Sequence, residues 1–191
     1  LLDSLDEQLV HLGAQLADRR AELLVELGRF VPGLVATLAG SAVQVGVRLR
    51  TVARGATLDE RRGRLAEALR HHRRDEIRRR RSLTGVQMDD VVVELQGHAA
   101  RTFASQGQVR TLVLALKLAE LMAARERGRV PLFLLDDLSS ELDQGRTGRL
   151  IRLLADLGAQ VVATTTDPRS LVEASGTEPL QLHVENGRIR P

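Results

Sequence analysis

Between residues 4 and 27 leucine recurs at helical spacing, at Leu5, Leu9, Leu12, Leu16, Leu23, Leu24 and Leu27, which predicts a long amphipathic helix. Gly28 reads as its stop, Pro32 as a break or kink, and Leu34 to Ala39 as a second helical piece. Val43, Val45, Val47 and Leu49 then alternate with Gln44, Gly46, Arg48 and Arg50, the period of a half-buried strand, and Gly55 closes it. Thr57, with Glu60 three residues on, opens a second long helix through a capping box. That helix runs to about Arg81, and its apolar stripe is Leu58, Leu65, Ala68, Leu69 and Ile77.

Val91 to Leu95 and Arg101 to Phe103 flank Gln96-Gly97-His98, which predicts a hairpin with His98 in a solvent-facing turn. Ser105 and Gln108 fit the capping box of a further helix, along which Leu112, Leu116, Ala119 and Met122 recur at helical spacing. The apolar run Val130 to Leu135, entered through Pro131, is too short for a buried helix and reads as a parallel strand covered on both faces. Leu150, Ile151, Leu154 and Leu157 line another helix, which Gly158 ends. The strand Gln160 to Ala163 then reaches Thr164-Thr165-Thr166-Asp167, and Leu180, Leu182 and Val184 lead through Asn186-Gly187 to Ile189, a type I′ hairpin.

Two places in this pattern carry candidate chemistry. The strand 130–135 ends in Asp136 and Asp137. Ligands of open α/β sheets gather beyond the carboxyl ends of the strands, where an Asp can hold Mg²⁺ through oxygen. Asp136 is placed for that role, and Asp137, pointing elsewhere, for accepting a hydrogen bond from an attacking water. An acidic loop after a core strand has the same spelling. The helix start Ser105-Gln106-Gly107-Gln108 leaves free N–H groups that attract phosphate, and Gly107 allows close approach of a backbone N–H to a ligand. A plain helix cap is the alternative there.

Order and spacing narrow these alternatives. Thr102 to Gln108, Arg110-Thr111, Leu114 to Glu120, Leu134-Leu135-Asp136-Asp137 and Ser140-Glu141-Leu142-Asp143 together resemble the signature, Walker B and D-loop of ABC/SMC-type ATPases. Within that superfamily they are most similar to the RecF family of DNA replication and repair proteins. A weaker likeness extends through Asp6 to Leu9 and Arg19-Arg20. Where family members carry a Gly-Pro-His-Arg-Asp-Asp run, this chain keeps Thr84-Gly85 and Asp89-Asp90 around Val86-Gln87-Met88, so any role of the absent His and Arg is not carried over.

The resemblance implies an α/β fold, the C-terminal part of a P-loop ATPase head with an inserted helical arm domain. Residues 1–81 would be the arm region, with one strand at about 42–53, and residues 82–191 the ATPase lobe. It implies ATP and Mg²⁺ as cofactors, Asp136 as metal ligand and Asp137 as catalytic residue. Ser105, Gln106, Gly107, Gln108, Ser140, Asp143 and Thr165 would bind nucleotide. ABC-type ATPases often have a His near Thr165, and a hydroxyl there can position phosphate or water but cannot act as a base near neutral pH. ATP would be sandwiched in a homodimer, one protomer supplying its P-loop and Walker B and the other its signature. The function implied is an ATP-dependent DNA clamp in replication and recombinational repair, a slow DNA-dependent ATPase. It would act on single-stranded or gapped DNA with other recombination mediator proteins.

Charge bears on this picture. Of the 28 Lys and Arg residues only Lys117 is lysine, and it lies inside the signature helix, so the Gly-Lys-Ser/Thr of a P-loop does not occur. The chain therefore reads as the C-terminal part of a longer protein, inactive by itself. The helix opened by Thr57 has ten Arg against five acids between residues 57 and 81. A solvated face laced with ion pairs is one reading, and a phosphate-contacting face formed by Arg73, Arg74, Arg78, Arg79, Arg80 and Arg81 is the other. With 2% aromatic residues and no Trp or Tyr, base stacking cannot dominate DNA binding, which would be backbone-directed. The absence of Cys excludes disulfides and thiolate chemistry and fits a reducing cytoplasm. No apolar run approaches the roughly 18 residues of a membrane span.

Overall fold

The computed structural model describes residues 2–137, 143–166, 168–175, 179–185 and 187–190. A single helix, α1 (Leu2–Ala39), passes through both Gly28 and Pro32. The expected stop and break are therefore absent. Pro32 is exposed, so the Gly28 carbonyl it frees can meet water, while Val31, Leu34, Val35 and Leu38 around it are buried. An interior proline costs about 3 kcal/mol, and burying four such side chains at about 1.5–3 kcal/mol each outweighs it.

α1 buries a different stripe from the one leucine spacing suggests. Its upper part turns Gly13 and Ala17 to α2 (Leu58–Arg79). Smallness matters there, because a Cβ on Gly13 would lie 2.9 Å from Leu65 Cδ2. The lower part packs Leu24, Leu27, Val31, Leu34, Val35 and Leu38 into the main core with Leu112, Ala115, Leu118 and Ala119 of α4 (Gln106–Glu126) and Leu150 and Leu154 of α5 (Gln144–Asp156). Leu5, Leu9, Leu12, Leu16 and Leu23 face outward, Leu12 being 61% exposed. One helix thus contributes to both hydrophobic clusters.

β1 (Val45–Arg50) pairs antiparallel with β2 (Asp90–Leu95), Val47 opposite Val93 and Arg50 opposite Asp90. Cross-strand ion pairs Arg48–Glu94 and Arg50–Asp90 hold the outer face. The predicted hairpin exists, but its second strand is only β3 (His98–Ala99), followed by the helical turn α3 (Ala100–Phe103). His98 is exposed, as expected, and stacks on Phe103 at 4.6 Å between ring centroids.

α2 is capped by Thr57, whose hydroxyl accepts from the Glu60 N–H at 3.2 Å. The Glu60 carboxylate accepts from Ala56 N–H instead of closing the box on Thr57. The helix ends at Arg79, short of the end of the arginine run, with Arg80 in the left-handed conformation (φ 52°). Leu65 and Leu69 are buried, whereas Ile77 of the expected stripe is 57% exposed. Arg61–Asp18, Arg73–Asp6 and, through the 3-10 turn Val86–Met88, Arg20–Asp89 tie this region to α1.

β4 (Leu132–Leu135) and β5 (Gln160–Ala163) are parallel, with α5 as their crossover. Phe133, Leu135 and Val161 pack on the main core. The other face is open, contrary to the expected burial on both sides: Leu132, Leu134 and Val162 are exposed among the described residues. α6 (Pro168–Ser175) packs near α5, and β6 (His183–Glu185) and β7 (Arg188–Arg190) form a hairpin in which Gly187 takes φ 73°. Asn186 and Asp167 lie outside the described residues.

Candidate functional site

The first turn of α4 is built as its sequence predicts. Ser105 Oγ accepts from Gln108 N–H at 3.3 Å and Gln108 Oε1 accepts from Ser105 N–H at 2.8 Å, so the capping box closes reciprocally. The N–H groups of Gln106 and Gly107 point out of the helix start, the half of the turn an anion can use. Gly107 has a second reason to be glycine. A Cβ there would lie 3.0 Å from Arg146 Nη1, so the absent side chain makes room for a guanidinium as well as for a ligand.

The second group of candidates sits at the carboxyl end of β4. Thr164 extends β5 by one residue, its N–H donating to Leu135 O at 2.8 Å. That register brings its hydroxyl to the acids: Thr164 Oγ1 donates to Asp136 Oδ1 at 2.6 Å and accepts from Asp137 N–H at 2.9 Å. Asp137 adopts φ 46°, a left-handed conformation that Asp tolerates better than most residues. Both carboxyl groups are exposed. Thr165, the threonine expected to meet nucleotide, is half-buried, and the contact to Asp136 belongs to its neighbour.

Among the described residues no group of three or more His, Asp or Glu could hold a metal alone. The donor set instead suits Mg²⁺, which keeps waters and takes one or two carboxylates together with substrate phosphates. With Oδ1 engaged by Thr164, Asp136 presents its other oxygen for such an ion.

Asp143 is the N-cap of α5, accepting from Arg146 N–H at 2.9 Å. Ser140, the other D-loop candidate, lies outside the described residues. Arg146, absent from the sequence-based candidates, reaches from α5 to Gly107 O at 3.3 Å and so joins Asp143 to the α4 start. A signal was present: a cation at the third position of a helix opposes the macrodipole and asks for another reason.

The structure divides the basic candidates. Arg73 pairs with Asp6 and Arg78 with Asp75, so their charges are locally compensated. The side chains of Arg74, Arg79, Arg80 and Arg81 are exposed and take no ion pair among the described residues, and Arg70 joins them. Glu76 holds the turn below them, accepting from Leu83 N–H at 2.7 Å, Thr84 N–H at 3.2 Å and Ser82 Oγ at 3.3 Å. Burial pushes its pKa up, but these hydrogen bonds and the Arg73 charge outweigh that and hold it below the ordinary value.

A capped helix start that can receive phosphate, a parallel strand ending in two acids, and a helical crossover to a strand that closes on them define a segment of an ABC/SMC-type ATPase head. No family model matches the chain. It is 39% identical over 188 residues to the DNA replication and repair protein RecF of Anaeromyxobacter sp. (strain Fw109-5), covering 96% of this chain and 51% of that protein. It is 40% identical over 195 residues to the protein of the same name from Myxococcus xanthus (strain DK1622), covering 98% and 51%. A solved structure of the recombination mediator protein RecF-ATPrS in the RecFOR pathway matches with TM-score 0.80 at 24% identity, over 99% of this chain and 50% of that one. One of RecF-ATP matches with TM-score 0.75 at 26% identity, over 88% and 46%. The chain belongs to the RecF family and spans about half the length of the curated relatives it matches. Among the described residues no helix is long and apolar enough to cross a membrane.

Proposed function

We propose that this chain supplies the signature helix, the acidic strand end and a basic arm of an ATP-switched DNA clamp acting in DNA replication and recombinational repair. The observation that carries this reading is the strand end itself, where one threonine hydroxyl fixes the Asp136 carboxylate and the Asp137 backbone together. The names of the relatives, which include DNA replication and repair and RecF with ATP, point the same way.

On this reading Asp136 holds Mg²⁺ and Asp137 accepts a hydrogen bond from the attacking water. A Mg²⁺ ion held there by Asp136 would neutralise charge developing on the phosphates. Asp137 takes the left-handed turn that follows the strand, and its N–H donates to the same Thr164 hydroxyl that holds Asp136. In a homodimer the Ser105–Gln108 turn, with Asp143, would face the nucleotide held by the second protomer, whose γ-phosphate favours the closed state. The uncompensated arginines of the α2 end would contact DNA phosphates, and partners in the pathway named for the relatives would act on the same DNA. The P-loop would come from the part of the protein that this chain does not contain.

The test uses the full-length protein. Asp137→Asn is expected to leave ATP binding nearly intact while lowering hydrolysis by on the order of 10²-fold or more, the scale of a lost general base. Asp136→Asn is expected to weaken Mg-nucleotide binding first, because the amide loses the charge that the hard cation selects. Ser105→Arg is expected to abolish ATP-dependent dimerisation while sparing monomer binding. Normal hydrolysis by Asp137→Asn, or normal dimerisation by Ser105→Arg, overturns the role assignment, whereas a parent protein that neither binds nor hydrolyses ATP leaves a non-enzymatic DNA-binding scaffold.

A further inference from the structure

α5 opens with a cation where its macrodipole disfavours one, Arg146 standing three residues after the N-cap Asp143. Its contacts supply the reason. Nη1 donates to Gly107 O at 3.3 Å, and Nε lies 3.4 Å from Asp143 Oδ2. The guanidinium fills the space beside Gly107 that a Cβ would enter. The same Gly107 carbonyl accepts from the hydroxyl of buried Thr111 at 2.9 Å, so the acceptor itself is fixed. One helical turn further along, Arg149 Nε donates to Leu38 O at 2.9 Å and ties α5 to the end of α1. The start of α5 is thus fastened on two sides.

We propose that Arg146 is a positioning residue that sets the α4 start, with Ser105, and the α5 start, with Asp143, as one rigid surface for docking a second protomer's nucleotide. This rests on the dimeric clamp described above. A planar guanidinium offers donors in fixed, diverging directions and can serve Gly107 and Asp143 at once, which a lysine ammonium does less well. Arg146 acts through those two residues, so its loss changes docking and not the binding of ATP to a lone protomer.

The experiment compares Arg146→Ala, Arg146→Lys, Gly107→Ala and the Gly107→Ala/Arg146→Ala double variant in the full-length protein. Monomer ATP affinity, ATP-dependent dimerisation by sedimentation, and thermal melting are read for each. Arg146→Ala is expected to hold monomer ATP affinity within about twofold and to weaken dimerisation by roughly tenfold or more, as for a lost charge-assisted hydrogen bond. Arg146→Lys should recover part of that loss. Gly107→Ala should displace the guanidinium, so the part of its defect that comes from Arg146, as distinct from crowding of the ligand, should disappear once Arg146 is alanine, a non-additive cycle. Defects that simply multiply, or an Arg146→Ala protein that dimerises like its parent, overturn the proposal. If Arg146→Ala shows no melting transition, the cycle is run with Arg146→Lys, and additivity there overturns it equally. A parent that stays monomeric with ATP removes the clamp reading and this proposal with it, whereas a dimerising parent beside a dimerising Arg146→Ala removes the proposal alone.

Discussion

Thr164 Oγ1 donates to Asp136 Oδ1 at 2.6 Å while accepting from the Asp137 N–H at 2.9 Å, so a single hydroxyl sets the side chain of one acid and the main chain of the next. A hydroxyl has one proton, and with an N–H directed at its lone pair that proton is committed to Asp136. Thr164→Val keeps the shape and removes the donor. It is expected to weaken Mg-nucleotide binding by the full-length protein by about tenfold, with Thr164→Ser close to the parent. Titration calorimetry with and without Mg²⁺ checks this, since an effect of the same size without Mg²⁺ would mean that Thr164 does not act through Asp136.

The ion-pair pattern of α2 makes the DNA prediction more selective than its sequence does. Reversing Arg74, Arg79, Arg80 and Arg81 to Glu is expected to weaken DNA binding at all sequences alike and to flatten its salt dependence, by roughly 0.9 in the log-log slope for each phosphate no longer neutralised. Arg73→Ala, which breaks the pair with Asp6, should act on the α1–α2 packing and leave the salt slope nearly unchanged. Filter binding across a salt series separates the two. Equal slopes for parent and quadruple variant would make the arginine face a solvated one.

Glu76 gives a pH prediction whose sign follows from its depressed pKa. A carboxylate held below its unfolded value adds stability above that value and loses it as pH falls through the folded pKa. Glu76→Gln is therefore expected to cost on the order of 1 kcal/mol near neutral pH, a modest figure because the group is partly in solvent. The gap between parent and variant should close as pH drops below about 4.5, the ordinary value for the group. Denaturant unfolding of the 191-residue chain at a series of pH values measures it, and a constant gap would refute the role of the ionised carboxylate.

What was legible in the sequence was local. The Ser105–Gln108 box needs only four residues and forms as written, and β5 ends where its apolar run ends. Among three consecutive threonines, however, only the register of β5 on β4 selects Thr164, a long-range pairing that spelling does not carry. Arg146 was one arginine among many until α5 was set against Gly107. Gly28 and Pro32 are local stop signals, overridden because the residues around them are needed in the core.

The leucine seam of α1 supplies the last prediction, because α1 carries two apolar stripes and periodicity alone does not say which is buried. Leu27 is 4% exposed inside the main core, whereas Leu12 and Leu16 stand at 61% and 44%. Leu27→Ala removes buried methyl groups and leaves a cavity, so it should cost about 2–5 kcal/mol in the 191-residue chain. Leu12→Ala removes atoms already in water and should stay within about 0.5 kcal/mol. The outward seam also repeats at alternating spacings of four and three residues from Leu5 to Leu16, the geometry that draws one helix against another. Leu12→Glu with Leu16→Glu should therefore lower any concentration-dependent association of the chain without lowering its melting temperature. Chemical denaturation and sedimentation at rising concentration read both effects. A loss of several kcal/mol from Leu12→Ala would place that leucine in a packed interface and reverse the assignment of the two faces.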